Sequence, residues 1–246
     1  MTRLSVNLNK VALLRNSRHT GVPDPVRFAG IVHAAGAAGV TLHPRPDERH
    51  IRRLDVDGIA EAIAAWRPGF ELNLEGYPDE RFLAIVRAAR PEQITLVPDK
   101  PDAFTSDAGW KLDSAERALV DQFVTAVRQL GARVILFCDP DPEAAVRIAD
   151  TGVQGVEIYT GEYAAAFRIG RPAEALAWCV AAGNAARERG LMVNAGHDLN
   201  RLNLPPLVRR MPWLHEVSIG HELTADALEI GMTAAIAGYK DALVPR

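Results

Sequence analysis

Short apolar runs and longer amphipathic segments follow one another along the whole chain. Runs such as Gly39–Leu42 and Val134–Cys138 are rich in β-formers and bounded by small residues or prolines, which is typical of buried strands. Segments such as Ser114–Leu130 place apolar residues at helical spacing. The pattern therefore predicts strand followed by helix, repeated from one end of the chain to the other.

Eight such units are predicted. The strands are Leu4–Asn9, Gly39–Leu42, Phe70–Glu75, Gln93–Val97, Val134–Cys138, Val156–Tyr159, Met192–Ala195 and His215–Ile219. The helices are Val26–Ala35, Asp55–Trp66, Asp79–Arg90, Ser114–Leu130, Glu143–Asp150, Pro172–Arg189, Asn200–Arg210 and Glu222–Lys240, while Thr160–Tyr163 is predicted to begin a loop.

An unbroken series of βα units predicts one α/β domain over residues 1–246, a single (β/α)8 TIM barrel with extra short helices. An open doubly wound sheet is the alternative. The turn after the first strand, Asn7–Val11, lacks the glycines that dinucleotide binding needs, which favours the barrel.

Composition narrows the class of protein. Hydrophobic residues make up 48% of the chain, charged residues 24%, and the net charge is −3, with no basic face for nucleic acid. Met1–Val6 lacks a signal-peptide core and no apolar run approaches the roughly 18 residues of a membrane span, so we expect a cytoplasmic protein. Cys138 and Cys179 have no metal-ligand spacing and are interpreted as buried thiols.

Polar residues concentrate where the predicted strands end. In a barrel these ends share one rim, so residues distant in sequence converge there. Four of the seven histidines fall at this rim, which predicts an acid–base active site. The rim residues are Asn7, Asn9, Lys10, His43, Arg45, His50, Glu75, Thr105, Glu157, Thr160, His197, Gly220 and His221.

The loop after the second strand is the densest of these groups. Pro44 and Pro46 cannot continue a central strand, and basic side chains crowd the residues around them. A loop of solvated charges is the alternative interpretation. Because the same arrangement returns at other strand ends, we expect catalysis or binding.

Gly-His follows each of the last two strands, as Gly196–His197 and Gly220–His221. Barrels often hold a phosphate there, on backbone N–H groups and a helix N-terminus. Each glycine could also be a plain turn residue. The two copies together favour an anion site.

Two acidic residues are candidates for different roles. Glu75 is the only acid at its strand end, and a carboxyl group desolvated at a barrel mouth suits proton transfer. A salt bridge from Glu75 to Arg45 or Lys10 is the structural alternative. Glu157 is interpreted as a satisfied structural acid. The histidines lack paired spacing, which disfavours a metal site.

Seven short motifs occur in an order similar to that of one known family. They are Asn7–Arg18, Thr41–His50, Asn73–Glu75, Leu96–Pro98, Thr160–Gly161, Asn194–His197 and Ile219–His221. In this order they resemble the pyridoxine 5′-phosphate synthase family. The resemblance implies a cytoplasmic homo-octamer of (β/α)8 barrels, a ring-forming transferase without metal or organic cofactor. Its substrates would be 3-amino-2-oxopropyl phosphate and 1-deoxy-D-xylulose 5-phosphate, and its products pyridoxine 5′-phosphate, phosphate and water.

The resemblance also implies roles for individual residues. His43 and Glu75 would accept protons, and His197 would donate one. The aminoketone phosphate would be held by Asn7, Arg18, Gly220 and His221, and the deoxyxylulose phosphate by Arg45, His50 and Thr105.

Two positions depart from the common family pattern. The family usually has Asn-x-Asp-His after the first strand, whereas this chain has Asn7-Leu-Asn9-Lys10. We expect Asn9 to hydrogen-bond and Lys10 to supply positive charge to a substrate. Asp198 stands where many relatives have glycine, so we expect its N–H to face the substrate and its carboxylate to turn away.

Two other functions remain open at this point. One is a different metal-free phosphosugar isomerase or aldolase, in which Lys10 forms an imine. The other is a catalytically weakened protein that binds phosphometabolites, an alternative suggested by Asn9 and Lys10.

Overall fold

Eight parallel strands pair in chain order and close into a barrel in the computed structural model, which describes residues 1–99 and 108–245. The last strand pairs with the first, with Arg3 opposite Glu216. The strands are β1 Arg3–Asn7, β2 Gly39–Leu42, β3 Glu71–Gly76, β4 Gln93–Leu96, β5 Arg133–Cys138, β6 Gly155–Tyr159, β7 Met192–Gly196 and β8 Glu216–Ile219. The predicted TIM barrel is confirmed, and the open sheet is excluded.

Helices connect the strands across the described ranges. They are α1 Asn9–Asn16, α2 Pro25–Ala34, α3 Arg53–Ala62, α4 Glu80–Ala89, α5 Ser114–Val127, α6 Pro142–Ala149, α7 Gly161–Arg168, α8 Ala173–Glu188, α9 Leu204–Arg210, α10 His221–Ile230 and α11 Met232–Ala242. Helix α2 begins at Pro25, one residue before the predicted Val26, and the Asp24 side chain caps it by accepting from the Val26 N–H at 2.9 Å. Among the helices of the described residues, none has the length and apolarity that a bilayer crossing requires.

Helix α1 and helix α7 lie in segments where no helix was predicted. The first strand ends at Asn7, whose side chain accepts from the Asn9 N–H at 2.9 Å and turns the chain into α1. The predicted loop at Thr160–Tyr163 is wrong. There, the Thr160 carbonyl accepts from the Ala164 N–H at 2.9 Å, which is the first helical hydrogen bond of α7.

Two predicted helices differ in their extent. The segment Glu222–Lys240 forms two helices, because Gly231 has φ +83° and interrupts the helical hydrogen bonds. Helix α9 begins at Leu204 instead of Asn200, whose side chain accepts from backbone N–H groups of the preceding turn. The first difference comes from the backbone conformation of Gly231, and the second from the hydrogen bonds of the Asn200 side chain.

Strand residues alternate between an apolar cluster and a polar barrel interior. Leu72 and Leu74 of β3 belong to the apolar cluster, whereas Asn73 between them hydrogen-bonds across the strands. Its amide donates to Thr41 on β2 at 3.3 Å and accepts from Thr95 on β4 at 3.2 Å. TIM-barrel interiors are more often filled by branched apolar residues. Here the interior is a hydrogen-bonded polar network instead.

Ion pairs occupy the amino-terminal end of this interior. Glu71 on β3 accepts from Arg3 on β1 at 2.5 Å and also from Arg133 on β5. Gln93 on β4 donates to Glu216 on β8 at 3.0 Å. Because β4 and β8 face each other across the barrel, this bond passes through its centre. The polar groups therefore tie opposite sides of the barrel together.

Glu71→Ala is expected to lower the free energy of unfolding by about 3 kcal/mol, because two partly buried guanidinium groups lose their shared partner. Chemical denaturation measures this change. Asp57→Ala is the control, since Asp57 pairs with Arg53 on the surface and its loss should change stability by less than about 1 kcal/mol. Equal effects of the two substitutions would contradict the structural role of Glu71.

Candidate active site

A cavity of about 460 Å³ opens at the carboxyl ends of the strands. His43, Glu75 and His197 all line it, although they come from β2, β3 and β7. The predicted convergence of these side chains is therefore observed. Other predicted residues lining the cavity are Asn7, Asn9, Lys10, Arg45, His50, Glu157, Asp198, Gly220 and His221.

Some predicted residues lie elsewhere. Arg18 is exposed beyond the end of α1 and does not line the cavity. Thr105 lies outside the described residues. Thr160 is buried beside the cavity wall. The roles assigned to Arg18 and Thr105 stay predictions.

Sequence reasoning missed several residues of the cavity wall. They are Leu13, Arg49, Leu199, Ser218, Ile219 and Glu222. Leu13 and Leu199 looked like ordinary apolar residues, and Ser218 sits inside a strand. Their only signal was proximity in sequence to a predicted rim residue.

His43 and Glu75 form the central pair of the site. The His43 Nδ1 atom lies 3.9 Å from Glu75 Oε2, and Asn7 donates to the same oxygen at 3.3 Å. Glu75 therefore contacts His43 and Asn7, whereas Arg45 pairs with Asp99 at 3.0 Å. The suggested salt bridge from Glu75 to Arg45 or Lys10 is wrong.

Burial decides the protonation of this pair. It raises the pKa of Glu75 to about 8, with a further contribution from the negative charge of Asp99. Burial also lowers the pKa of His43 well below its ordinary value, and the neighbouring His50 and Arg45 act in the same direction. At neutral pH Glu75 therefore keeps its proton and the His43 imidazole is neutral. Ionised Glu75 and imidazolium His43 are thus both disfavoured at neutral pH.

Asn9 holds the start of the loop that carries His43. Its side-chain oxygen accepts from the His43 backbone N–H at 2.9 Å. Its own N–H is bound by the side chain of Asn7, which also contacts Glu75. Asn9 thus has a structural task that its sequence position did not reveal.

His50 is a neutral hydrogen-bond donor. Its Nδ1 atom accepts from the Ile51 N–H at 2.9 Å, so the ring proton resides on Nε2. Burial, together with the charges of Arg45 and Lys10, lowers the pKa of His50 to about 4. The site therefore offers an uncharged N–H beside the charged groups of this loop.

The segment around His197 has unusual backbone geometry. His197 and Asp198 have φ of +85° and +54°, values that non-glycine residues seldom adopt. The Thr160 hydroxyl lies 2.6 Å from both the Gly196 and the His197 carbonyl oxygens. The Thr160 hydroxyl therefore contacts two successive peptide groups. These contacts hold the backbone from which the His197 side chain extends.

Aromatic rings surround the other side of His197. Its ring centroid is 5.2 Å from that of Tyr159 and 5.6 Å from that of Phe137. The imidazole is therefore packed as well as anchored.

Close approach of the backbone explains the two Gly-His motifs. A Cβ atom at Gly196 would collide with the Glu157 carboxyl group, and one at Gly220 would lie 3.1 Å from the Asn7 Cβ. Neither glycine adopts a positive φ. The interpretation as plain turn residues is therefore wrong, since each glycine makes room for a cavity side chain.

Arg168 neutralises two carboxylates at the cavity edge. Its guanidinium group lies 3.8 Å from Asp198 and 2.9 Å from Glu222. Glu222 is in the first turn of α10, whose N-terminus begins at His221. Both acids thus have a cation partner beside the expected anion site, and the expectation that the Asp198 carboxylate turns away stays a prediction. No sequence pattern indicated Arg168.

Glu157 lies in the cavity wall with an unpaired oxygen. Its Oε2 atom and the Ser218 hydroxyl are buried without a hydrogen-bond partner among the described residues. Burial raises the pKa of Glu157 well above its ordinary value, and the charge of Glu75 adds to this. The interpretation of Glu157 as a fully satisfied structural acid is wrong. In the described ranges, no group of three or more His, Cys, Asp and Glu side chains could hold a metal ion.

Known proteins resemble this chain over nearly its full length. The family model for pyridoxal phosphate biosynthesis protein PdxJ matches residues 4–244. Pyridoxine 5′-phosphate synthase from Porphyromonas gingivalis is 47% identical and covers 99% of each chain. The enzyme of that name from Brucella anthropi is 49% identical and covers 98% of each chain.

Solved structures show the same fold at low sequence identity. A chain of tryptophan synthase from M. tuberculosis has a TM-score of 0.66 at 14% identity, with 98% of this chain and 92% of that chain covered. Phosphoribosyl anthranilate isomerase from Thermus thermophilus has a TM-score of 0.58 at 15% identity, with 97% and 100% covered. These likenesses concern the barrel alone.

The elevated pKa of Glu75 makes Glu75→Gln increasingly stabilising, relative to the wild type, as the pH rises from 4.5 to about 8. Below pH 4.5 the carboxyl group is protonated in both the folded and the unfolded chain. Above pH 4.5, only the unfolded chain releases the proton readily. The free energy of unfolding of the wild type therefore falls by at most about 1.4 kcal/mol per pH unit. Denaturation at several pH values measures the difference, and a difference independent of pH would contradict a raised pKa.

Thr160→Val should lower the free energy of unfolding by about 1–3 kcal/mol, because the shape is kept while the His197 carbonyl loses the hydroxyl and the Gly196 carbonyl keeps only the Thr160 N–H. Thr160→Ser retains the hydroxyl and is the matched control. Chemical denaturation compares the two variants. Destabilisation by Thr160→Ser but not by Thr160→Val would contradict the role of the hydroxyl.

Proposed function

The chain belongs to the family of pyridoxal phosphate biosynthesis protein PdxJ, and on this premise we propose that it is a pyridoxine 5′-phosphate synthase. The reaction condenses 3-amino-2-oxopropyl phosphate with 1-deoxy-D-xylulose 5-phosphate to pyridoxine 5′-phosphate, phosphate and water. One observation carries the proposal: His43, Glu75 and His197 line a single cavity together with groups suited to binding anions.

The anion-binding groups fall on two sides of the cavity. On the β8 side, Gly220 and His221 begin α10, where backbone N–H groups and the helix dipole favour a phosphate. On the β2 side, Arg45, Arg49 and His50 supply charged and neutral donors. We assign the aminoketone phosphate to the first side and the deoxyxylulose phosphate to the second. A cavity of about 460 Å³ is in the size range of small-molecule sites.

The protonation of the His43–Glu75 pair supports multi-step acid–base catalysis. Imine formation, tautomerisation, loss of phosphate, ring closure and dehydration each require a proton to move. The neutral His43 is ready to accept a proton at neutral pH. Glu75 is ready to donate, and it becomes an acceptor once its proton has been passed on. His197 acts as donor from β7, across the cavity mouth from β3.

Arg168 supports phosphate binding indirectly. Asp198 and Glu222 line the cavity and would repel an anion at the start of α10. Their contacts with Arg168 offset this repulsion. Asp198 can therefore replace the glycine of many relatives while its backbone remains available to the substrate.

An imine-forming aldolase or isomerase is the competing function, because Lys10 lines the cavity. Borohydride reduction in the presence of deoxyxylulose phosphate alone distinguishes the two. The synthase forms no adduct on Lys10, whereas the competing enzymes do.

The cytoplasmic location and the homo-octamer also belong to this proposal. Large apolar side chains such as Leu54, Leu202 and Leu228 are exposed on the single chain, and an assembly would cover such surface. Light scattering should give eight times the mass of one chain.

Purified protein supplied with both substrates should form pyridoxine 5′-phosphate and release phosphate, because the cavity combines acid–base groups with anion sites. Chromatography of the product and a phosphate assay measure this. Binding of both substrates without turnover would instead favour the catalytically weakened binding protein.

Glu75→Gln and His43→Ala serve as the variants for this assay. Each should reduce kcat by at least about a hundredfold, since each removes a group that transfers protons. Both should keep the wild-type circular dichroism spectrum, because the side chains face the cavity. Full turnover in either variant would reject its proposed role.

A further inference from the structure

One irregular loop supplies much of the cavity's basic side. Residues 43–52 connect β2 to α3 and contribute His43, Arg45, Arg49 and His50 to the cavity. The loop is neither helix nor strand, although the Arg45 N–H donates to the His43 carbonyl and the Glu48 N–H to the Arg45 carbonyl, and Glu48 has φ +50°. Arg49 pairs with Asp47 inside the loop, and Arg45 pairs with Asp99 outside it. The end of the loop, from Glu48 to His50, is held from outside by side chains of α1.

The side chain of Asn16, the last residue of α1, contacts three successive carbonyl groups of this loop. Its Nδ2 atom lies 3.3 Å from the carbonyl oxygen of Glu48, 3.0 Å from that of Arg49 and 2.8 Å from that of His50. Its Oδ1 atom accepts from Arg15 Nε at 3.0 Å, which fixes the orientation of the amide. Asn16 can therefore act only as a donor toward the loop.

Arg15 links the His50 carbonyl group to Asp55 in the first turn of α3. Its guanidinium group donates to both carboxylate oxygens of Asp55 and, at 3.3 Å, to the His50 carbonyl. Asp55 in turn accepts from the Arg52 N–H at 2.7 Å. The side chains of Arg15 and Asp55 are each only 10% exposed. A buried bidentate pair of this kind has a well-defined geometry.

The contacts of Arg15 and Asn16 with the loop go to its backbone and do not involve the side chains that line the cavity. Neither Arg15 nor Asn16 lines the cavity. His50 is held at its carbonyl group by both residues, while its ring is oriented by the Ile51 N–H. The position of its Nε2–H therefore depends on groups that no substrate touches.

We propose that Arg15 and Asn16 are positioning residues that determine the affinity for the substrate phosphate on the β2 side. The proposal rests on the proposed function, in which this side holds deoxyxylulose phosphate. The aminoketone phosphate lies on the β8 side at Gly220 and His221, and among the described residues the hydrogen bonds of Arg15 and Asn16 go to the β2 loop and the start of α3 instead. Loss of these hydrogen bonds should therefore weaken the binding of deoxyxylulose phosphate and leave the binding of the aminoketone phosphate unchanged.

Asn16→Leu is the decisive variant, because it keeps the size of the side chain and removes its donors. The Kd for 1-deoxy-D-xylulose 5-phosphate, measured by calorimetry without the second substrate, should rise about tenfold or more. Its KM should rise in parallel, while the KM for 3-amino-2-oxopropyl phosphate should stay within about twofold. Arg15→Lys keeps the charge, loses the bidentate geometry and should shift the same two constants.

Arg67→Lys is the matched control. Like Arg15, Arg67 forms an ion pair and also donates to backbone carbonyl groups. It pairs with Glu92 at 2.7 Å and donates to the carbonyl groups of Ala89 and Arg90. These contacts lie at the amino-terminal end of the barrel. Arg67→Lys should lower the unfolding midpoint and leave both KM values unchanged. An equal rise in both KM values for Asn16→Leu, an unchanged Kd, or the same selective rise for Arg67→Lys would overturn the proposal.

The outcomes separate this inference from the proposed function. If the wild type binds deoxyxylulose phosphate but makes no product, the synthase assignment fails, and the calorimetric comparison still decides the role of Asn16. If the wild type does not bind deoxyxylulose phosphate, both fail. Should Arg15→Lys not fold, Asn16→Leu alone decides, since its carbonyl partners can be solvated at the loop surface.

Discussion

The division of strand residues between two environments underlies the whole structure. Along β3 and its neighbours, one set of side chains joins the apolar cluster shared with the helices, and the other faces a polar interior. Apolar burial stabilises the outer layer. Hydrogen bonds such as Gln93 to Glu216 hold the inner one, because buried polar groups must find partners. The interior is polar from the ion pairs at one end to the cavity at the other.

This polar interior explains why the cavity can tune proton transfer. Glu75 and Glu157 are buried, so their neutral forms are favoured and their pKa values rise. His43 is buried beside positive charge, so it stays neutral. Desolvation keeps the Glu75 carboxyl group protonated and the adjacent His43 imidazole neutral. No unusual residue type is needed for these protonation states. The same two side chains on an exposed loop would have ordinary protonation states.

Loops around the cavity depend on residues that do not enter it. Thr160 anchors the segment of His197, Asn9 holds the start of the β2 loop, and Asn16 holds its end. Arg168 offsets the charge of two acids that face the anion site. In each case the contact goes to backbone or to a neighbouring charge. Side chains that would meet a substrate are thus oriented by a separate layer of contacts.

The sequence by itself determined the barrel and the membership of its rim. Apolar runs and helical spacing mark the strands and most helices, and a closed parallel barrel brings strand ends together whatever the details. Helices α1 and α7 were missed because side-chain and backbone hydrogen bonds at Asn7 and Thr160 start them without a strong periodic signal. The break at Gly231 was missed for a similar local reason.

Only the tertiary structure decided which charges meet. Glu75 could have paired with Arg45, but Arg45 is directed to Asp99, so Glu75 remains a buried acid beside His43. The pairing of Arg15 with Asp55 joins residues forty positions apart, and that of Arg168 with Asp198 crosses two elements. Spacing along a chain predicts which element a residue occupies. Distances and desolvation, which fix protonation and partners, arise only when distant elements pack together.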